Sequence, residues 1–327
     1  MTTRVLVTGA LGYVGGRLIR HLAAEPDFVV RAGFRDSART YAPLPAQCEK
    51  ASLDLLDVGS LEAACVGVDR IVHLAALNDP DCRASPERAF RVNCLGAHDL
   101  VTVAKRAGVR RIVYISTAHV YGAPLVGSLD ETRMPRPVSL YALTHRCAED
   151  IVLAGGAETR GVVLRLSNAF GAPADPGVNA WMLLANDLCR QAVEKRRLIL
   201  QSPGLQWRDF VTMTDVTRGI AHLLRMPENS LGDGVFNLGG DCSLRIIDFA
   251  ERVRSVCQRV LGFSPEIERP LPSSGDPLPD QFAYRSERLK DAGFQLGREL
   301  DSEIENLLRF CEEHFKPNQA LAPKENA

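Results

Sequence analysis

Long apolar runs are missing from this 327-residue sequence: no stretch stays apolar over the ~20 residues that a bilayer-spanning helix needs. The start runs from Met1 directly into "RVLVTG" with no apolar signal core behind a basic flank, so the expectation is a cytoplasmic protein with no membrane partner. A surplus of one charge is missing as well. Lysine and arginine total 39 against 40 acidic residues, the net charge is -1 and the pI is near 6.7, so no field recruits nucleic acid. There is no Cys-x-x-Cys and no cluster of histidines. The nine cysteines are odd in number and scattered from Cys48 to Cys311, which reads as reduced thiols and excludes a disulfide framework or a metal centre. Repeats and low-complexity linkers are also absent.

What is present is a regular alternation. "RVLVTG", "FVVRAGF", "RIVHLAA" and "RIVYIST" read as buried strands, and helical stretches separate them, beginning with Gly12 to Ala24. Ser85-Pro86 starts and Gly108 stops one long helix across "AFRVNCLGAHDLVTVAKRA". Strands of continuous Val, Ile and Leu with helices between them predict an α/β fold, a Rossmann-type doubly wound parallel sheet. The beat changes after Asn168: a helix over "VNAWMLLANDLCRQAVEK", strands "LILQS" and "VFNLGG", a strand and helix in "DFVTMTDVTRGIAHLL", and helices near Ser243 and Asp301. The expected division is a dinucleotide-binding domain over 1–167, to which parts of about 205–240 return. A smaller, discontinuous substrate-binding lobe takes 168–204 and 241–315, and 316–327 is a polar, disordered tail.

The first chemical signal is "TGALGYVG", Thr8 to Gly15, at the junction of the first strand and first helix. Gly9 and Gly12 let backbone approach a pyrophosphate, Gly15 permits close helix–strand contact, and the helix start at Tyr13 and Val14 offers unpaired N–H groups. A glycine turn without a ligand would have no reason to sit at this junction.

The spacing is T-G-x-x-G-x-x-G. With "HLAA" (His73 to Ala76), Asn93, "ISTAHVYG" (Ile115 to Gly122), Tyr141, "LRLSNAFG" (Leu164 to Gly171) and "WRDFVTMTDV" (Trp207 to Val216), the chain resembles the extended short-chain dehydrogenases/reductases. The resemblance is to those that modify nucleotide sugars, and it runs from about residue 3 to about residue 314. It implies a cofactor site of Gly9, Gly12, Tyr13, Val14, Gly15, Leu55, Leu74, Ala75, Ala76 and Asn93, with Asp54 against adenine. It implies Arg208 as the diphosphate clamp, Asn168 and His119 beside the substrate, and Arg269 as a second cation. It also implies a homodimer in which the helices around Arg88–Lys105 and Leu140–Leu153 form a four-helix bundle.

Charge at the end of the second strand selects the nicotinamide cofactor. An acid there accepts from the ribose hydroxyls of NAD(H), but in "VVRAGFRDS" the aligned position is Phe34, Arg35 follows, and Asp36 comes late. NADP(H) is therefore favoured over NAD(H).

In the resembling family a Tyr exchanges a proton with the substrate oxygen, a Ser or Thr orients that oxygen, and a Lys four residues after the Tyr lowers its pKa. Tyr141 and Thr117 match the first two. His145 stands where the Lys belongs. Four residues is one helical turn, so His145 shares the face of Tyr141 and Arg146 does not. A lysine brings a full charge at neutral pH, whereas an ordinary histidine, near pKa 6.5, is mostly neutral. Three readings stay open: an adapted proton relay, an altered mechanism or pH optimum, and a dinucleotide-binding sensor or scaffold without chemistry. Ala118 and His119 occupy the places where the family's 4,6-dehydratases carry acids, so that reaction is disfavoured. The expected function is an NAD(P)-dependent reductase or epimerase of a nucleotide-activated keto or deoxy sugar. A reductase of a non-sugar carbonyl compound is the enzymatic rival.

Overall fold

The computed structural model describes residues 2–35, 43–272 and 280–316; Asp36 and the tail from 317, both named above, lie outside the described residues. The first half of the chain contributes strands β1 (Thr3–Thr8), β2 (Phe28–Phe34), β3 (Glu49–Ser52), β4 (Arg70–His73), β5 (Arg111–Thr117), β6 (Gly127–Leu129) and β7 (Arg160–Leu166). The second half contributes β8 (Asn168–Phe170), β9 (Arg197–Ile199), β10 (Trp207–Thr212), β11 (Val235–Leu238), β12 (Ser243–Arg245), β13 (Glu266–Glu268) and β14 (Phe282–Tyr284).

Seven of these form one parallel sheet in the order β11-β7-β5-β4-β1-β2-β3. Strand order reverses between β1 and β4, and α/β sheets take their ligands in the crevice outside the carboxyl ends of the strands at such a point. Every residue of β5 is buried, as expected for a central strand covered on both faces. One face packs under the Tyr13–Ala23 and Met213–Arg225 helices, around Leu18, Leu22, Val216 and Ile220. The other packs under the Val58–Cys65, Gly96–Arg106 and Leu140–Leu153 helices, around Leu61, Leu100, Tyr114 and Val152.

A second core lies apart, where the Leu184–Lys195, Ile246–Leu261 and Leu300–Phe315 helices meet around Leu188, Phe249 and Leu307. β10 pairs with β8 and β12 beside it. The Met213–Arg225 helix packs into the first core, and β11 is an edge strand of the seven-stranded sheet. Leu289 and Phe294 also pack into that first core, although they fall within the span assigned to the second lobe; the Glu287–Asp291 helix is apolar on the side that meets β11.

The long helix expected between Ser85 and Gly108 runs from Pro86–Ala89 through a π-helical turn over Phe90–Leu95 into Gly96–Arg106, with helical backbone at both junctions. The one expected from Val178 begins only at Leu184, because Pro176 and Gly177 turn the chain and the Trp181 indole donates to the Pro176 carbonyl at 2.8 Å.

Candidate active site

The glycine turn after β1 is shaped by what it approaches. Gly9 has a φ of 67°, and a Cβ there would lie 3.0 Å from the Ala75 nitrogen. A Cβ on Gly15 would run into the Gly9 carbonyl oxygen and lie 2.9 Å from Ala10 Cα. The Tyr13–Ala23 helix that follows has no side-chain cap at Gly12 and no acid in its first turn. Its first N–H groups are left for an anion, with no carboxylate to repel it, so this cradle fits the pyrophosphate of a dinucleotide. Thr8 ties it to β4: its hydroxyl oxygen accepts from the N–H groups of Leu74 and Ala75 at 3.1 and 3.2 Å. Leu74, Ala75 and Ala76 thus border the cradle at the β4 end. The Tyr13 side chain leaves it, donating its hydroxyl to the Gly171 carbonyl at 2.8 Å, and burial pushes that phenol's pKa up.

Further along the crevice, Arg35 is exposed just beyond β2. The Asp54 carboxylate accepts from the Leu56 N–H at 3.0 Å, while Leu55 is buried against Gly96. Asn93 is buried and committed elsewhere: its oxygen accepts from the Leu77 N–H at 2.8 Å and its amide donates to the Thr144 hydroxyl at 3.0 Å. It therefore braces the wall of the crevice with its side chain.

Thr117 ends β5, and Ser139 caps the Leu140–Leu153 helix by accepting from the Ala142 N–H. That cap sets Tyr141 in the first turn and His145 one turn on, with ring centroids 4.4 Å apart and edge to face. Burial pushes the Tyr141 phenol up to about 12, against the downward pull of a hydrogen bond from Thr117. Burial pulls His145 down to about 4, opposed by the Glu149 carboxylate and assisted by His119. Histidine in the lysine's place is therefore neutral at physiological pH, and Tyr141 keeps its proton.

Residues beneath this pair were not evident from motifs. The Tyr114 hydroxyl lies 2.6 Å from Nδ1 of His145, and the ring of His73, whose Nδ1 is 2.8 Å from the Thr8 hydroxyl, lies 5.4 Å from that of Tyr114 at a tilt of 37°. Glu149 is sealed in the core, accepting from Ser116, Arg165 and Arg146 at 2.6 to 2.9 Å.

His119 sits at the crevice mouth, and its pKa is lowered by burial and then by the charge of Arg208. Arg208 and its neighbour Asp209 are not paired. Asp209 points into the core, where Ser167 and the N–H groups of Gly240 and Cys242 donate to it. Arg208 faces the other way, half-buried, donating only to the Trp207 carbonyl among the described residues, and burial lowers its pKa. Asn168 donates to the Asp209 carbonyl at 2.9 Å. Arg269 is exposed and donates to the carbonyl of Pro203, in the segment that leads into β10.

Among the described residues no three His, Cys, Asp or Glu side chains gather as metal ligands, and no helix is long and apolar enough to cross a membrane.

With this geometry the chain matches the NAD dependent epimerase/dehydratase family over residues 5–239, and it belongs to that family. It is 26% identical to UDP-glucuronic acid decarboxylase 6 of Arabidopsis thaliana, covering 96% of this chain and 89% of that protein. It is 30% identical to sterol demethylase protein B of Methylococcus capsulatus, covering 90% and 89%, and 30% identical to dTDP-glucose 4,6-dehydratase of Streptomyces griseus, covering 75% of each. In structure it is similar to MoeE5 in complex with UDP-glucuronic acid and NAD, with a TM-score of 0.76, 26% identity, and 95% and 99% of the two chains covered. The fold is likewise that of RMD from Pseudomonas aeruginosa complexed with NADPH, at a TM-score of 0.76, 24% identity, and 95% and 99% coverage. A 4,6-dehydratase thus stands among the relatives, and the comparisons give no support for setting that reaction aside.

Proposed function

We propose that the protein is an NADP(H)-dependent reductase of a carbonyl on a nucleotide-activated sugar. The observation that carries this reading is Arg208: a half-buried cation with no carboxylate partner among the described residues, close enough to act on His119 beside Thr117. A desolvated arginine without a counter-ion is a site for a diphosphate. The fork has its donors free for two oxygens.

Nicotinamide dinucleotide, bound at the glycine cradle, supplies the hydride. The chain's own residues do the rest. Thr117 and Tyr141 hold the carbonyl oxygen, and Tyr141 delivers its proton as negative charge grows there. Burial keeps Tyr141 protonated at neutral pH, so the proton that reduction consumes is in place before the substrate arrives, although the raised pKa makes it a weaker acid than an ordinary tyrosine. Exposed Arg35, with no acid at Phe34, favours the 2′-phosphate of NADP(H). Elimination of water needs an acid after Thr117, where Ala118 is buried and His119 is held neutral. Exposed Phe90, Leu95 and Leu143, on the segments expected to form a bundle, support a homodimer.

The similarity to sterol demethylase protein B favours a second reading, a reductase of a carbonyl compound without a nucleotide. Calorimetric titration of UDP, dTDP and GDP into the protein with NADPH separates the two. At least one should bind, and Arg208→Gln should weaken it tenfold or more, about 1.4 kcal/mol. Binding of none would discard the nucleotide-sugar reading and favour the second.

A further inference from the structure

We propose that Tyr114 is a positioning residue that works through His145: its hydroxyl donates to Nδ1 and locks the imidazole in the tautomer that carries its proton on Nε2. This rests on the reading of Tyr141 as the proton donor, because the locked N–H is then a neutral donor in the place of the missing lysine.

The inference comes from counting protons. Tyr114 is buried, and among the described residues Nδ1 of His145, at 2.6 Å, is the one hydrogen-bond partner of its hydroxyl. A phenol has one proton to place. If Nδ1 carried the shared proton, the Tyr114 O–H would be buried with no acceptor, which proteins avoid. The other arrangement satisfies both atoms, and it leaves Nε2–H on the side of the ring away from Tyr114.

The layer below does not compete for the Tyr114 hydroxyl. Nδ1 of His73 lies 2.8 Å from the Thr8 hydroxyl, whose oxygen accepts from the Leu74 and Ala75 N–H groups. Nε2 of His73 is sealed from solvent without a partner among the described residues. His73 cannot exchange roles with Tyr114, whose ring lies between the two imidazoles at centroid distances of 5.4 and 5.8 Å. The groups that face His145 are His73 behind Tyr114, Tyr141 above it, His119 at the mouth, and Glu149 one turn along the helix. Glu149 is the one anion, and Arg165 and Arg146 hold both its oxygens. Nothing therefore competes to protonate Nδ1. A lysine here could not accept from Tyr114, so Tyr114 and His145 form a matched pair.

Nitrogen-15 spectra of the histidine side chains in the full chain test this without a substrate. The His145 signals are identified by their loss in His145→Gln. In the wild type Nε2 should be protonated and Nδ1 should be a hydrogen-bonded, unprotonated nitrogen; Tyr114→Phe should turn the single tautomer into a mixture. A wild-type Nδ1 that carries the proton would overturn the proposal, and so would a Tyr114→Phe spectrum with the tautomer unchanged. The wild-type signals decide alone should Tyr114→Phe not fold. Failure of UDP, dTDP and GDP to bind would sink the nucleotide-sugar reading and leave this tautomer untouched, so the two failures are told apart.

Discussion

Replacing His145 by lysine should restore a charge that the wild-type site does without. Burial raises Tyr141 from its ordinary value near 10 to about 12, which disfavours the phenolate by roughly 3 kcal/mol. His145, held near 4, contributes no positive charge against this at neutral pH. A protonated lysine at the same helical position would stand within one turn of Tyr141. A unit charge at ~4 Å and an effective dielectric of ~20 is worth about 4 kcal/mol. After the lysine's own desolvation is set against that, a drop of about 2 pK units in Tyr141 remains. Glu149 does not absorb the new charge, since Arg165 and Arg146 already occupy it. The assay is ultraviolet difference titration of phenolate, His145→Lys against His145→Lys/Tyr141→Phe. Among the described residues the other tyrosines, Tyr13, Tyr114, Tyr121 and Tyr284, are all pushed up, and subtracting the double variant removes the signal of Tyr41. Activity in the oxidative direction should move to lower pH with it. If Tyr141 titrates within about 0.5 unit of its wild-type value, the reasoning that ties the tyrosine to position 145 is refuted.

Three further outcomes are expected. Tyr141→Phe should abolish turnover while leaving the melting temperature within a few degrees of wild type, and activity at the wild-type level would remove Tyr141 from the chemistry. Gly15→Ala forces a methyl against the Gly9 carbonyl and Ala10, so NADPH binding measured by fluorescence should fall at least tenfold; affinity unchanged would mean that the cradle is not the dinucleotide site. His145 is neutral in the fold and protonated below about 6.5 once unfolded, so its contribution to stability is whole above that pH and is lost as pH falls toward 4. By pH 4.5 the loss is roughly 2 kcal/mol, and urea titrations at pH 7 and 4.5 should show His145→Gln losing about that much less than wild type. Equal losses would show that His145 is not held neutral.

What the sequence disclosed depended on whether the information was local. The strand boundaries of β1, β2 and β5 follow from continuous apolar runs, and β2 spans "FVVRAGF" from Phe28 to Phe34. β7 was harder to see because its apolar run, Arg160–Leu166, merges into the "LRLSNAFG" motif. The alignment of Tyr141 with position 145 is a helical spacing and was legible. Tyr114 was not, because its role needs two facts at once: alternation puts it on the opposite face of β5 from Thr117, and that face lies under the helix carrying His145. Adjacency also misleads in a strand. Arg208 and Asp209 look like an ion pair in one dimension, but neighbours in β10 face opposite ways, so one is a core anchor and the other a free cation. Asn93 carries the right chemistry for a ligand, yet its side chain is occupied by tertiary contacts with Leu77 and Thr144, which no local pattern discloses.

The pairing of Glu149 explains how histidine can stand where a lysine is expected without becoming charged. A free carboxylate one turn from His145 would pull a proton onto the imidazole, and its charge is the term that raises His145. Arg165 donates to both oxygens from β7 and Arg146 donates from the same helix, so Glu149 is neutralised by two cations, with Ser116 filling a further lone pair. Burial then decides the protonation of His145. Tyr141, with no cation beside it, stays a phenol, and the positive charge that the crevice exposes is concentrated at Arg208, away from the proton-donating oxygen. Anion binding and proton delivery are thereby separated in space.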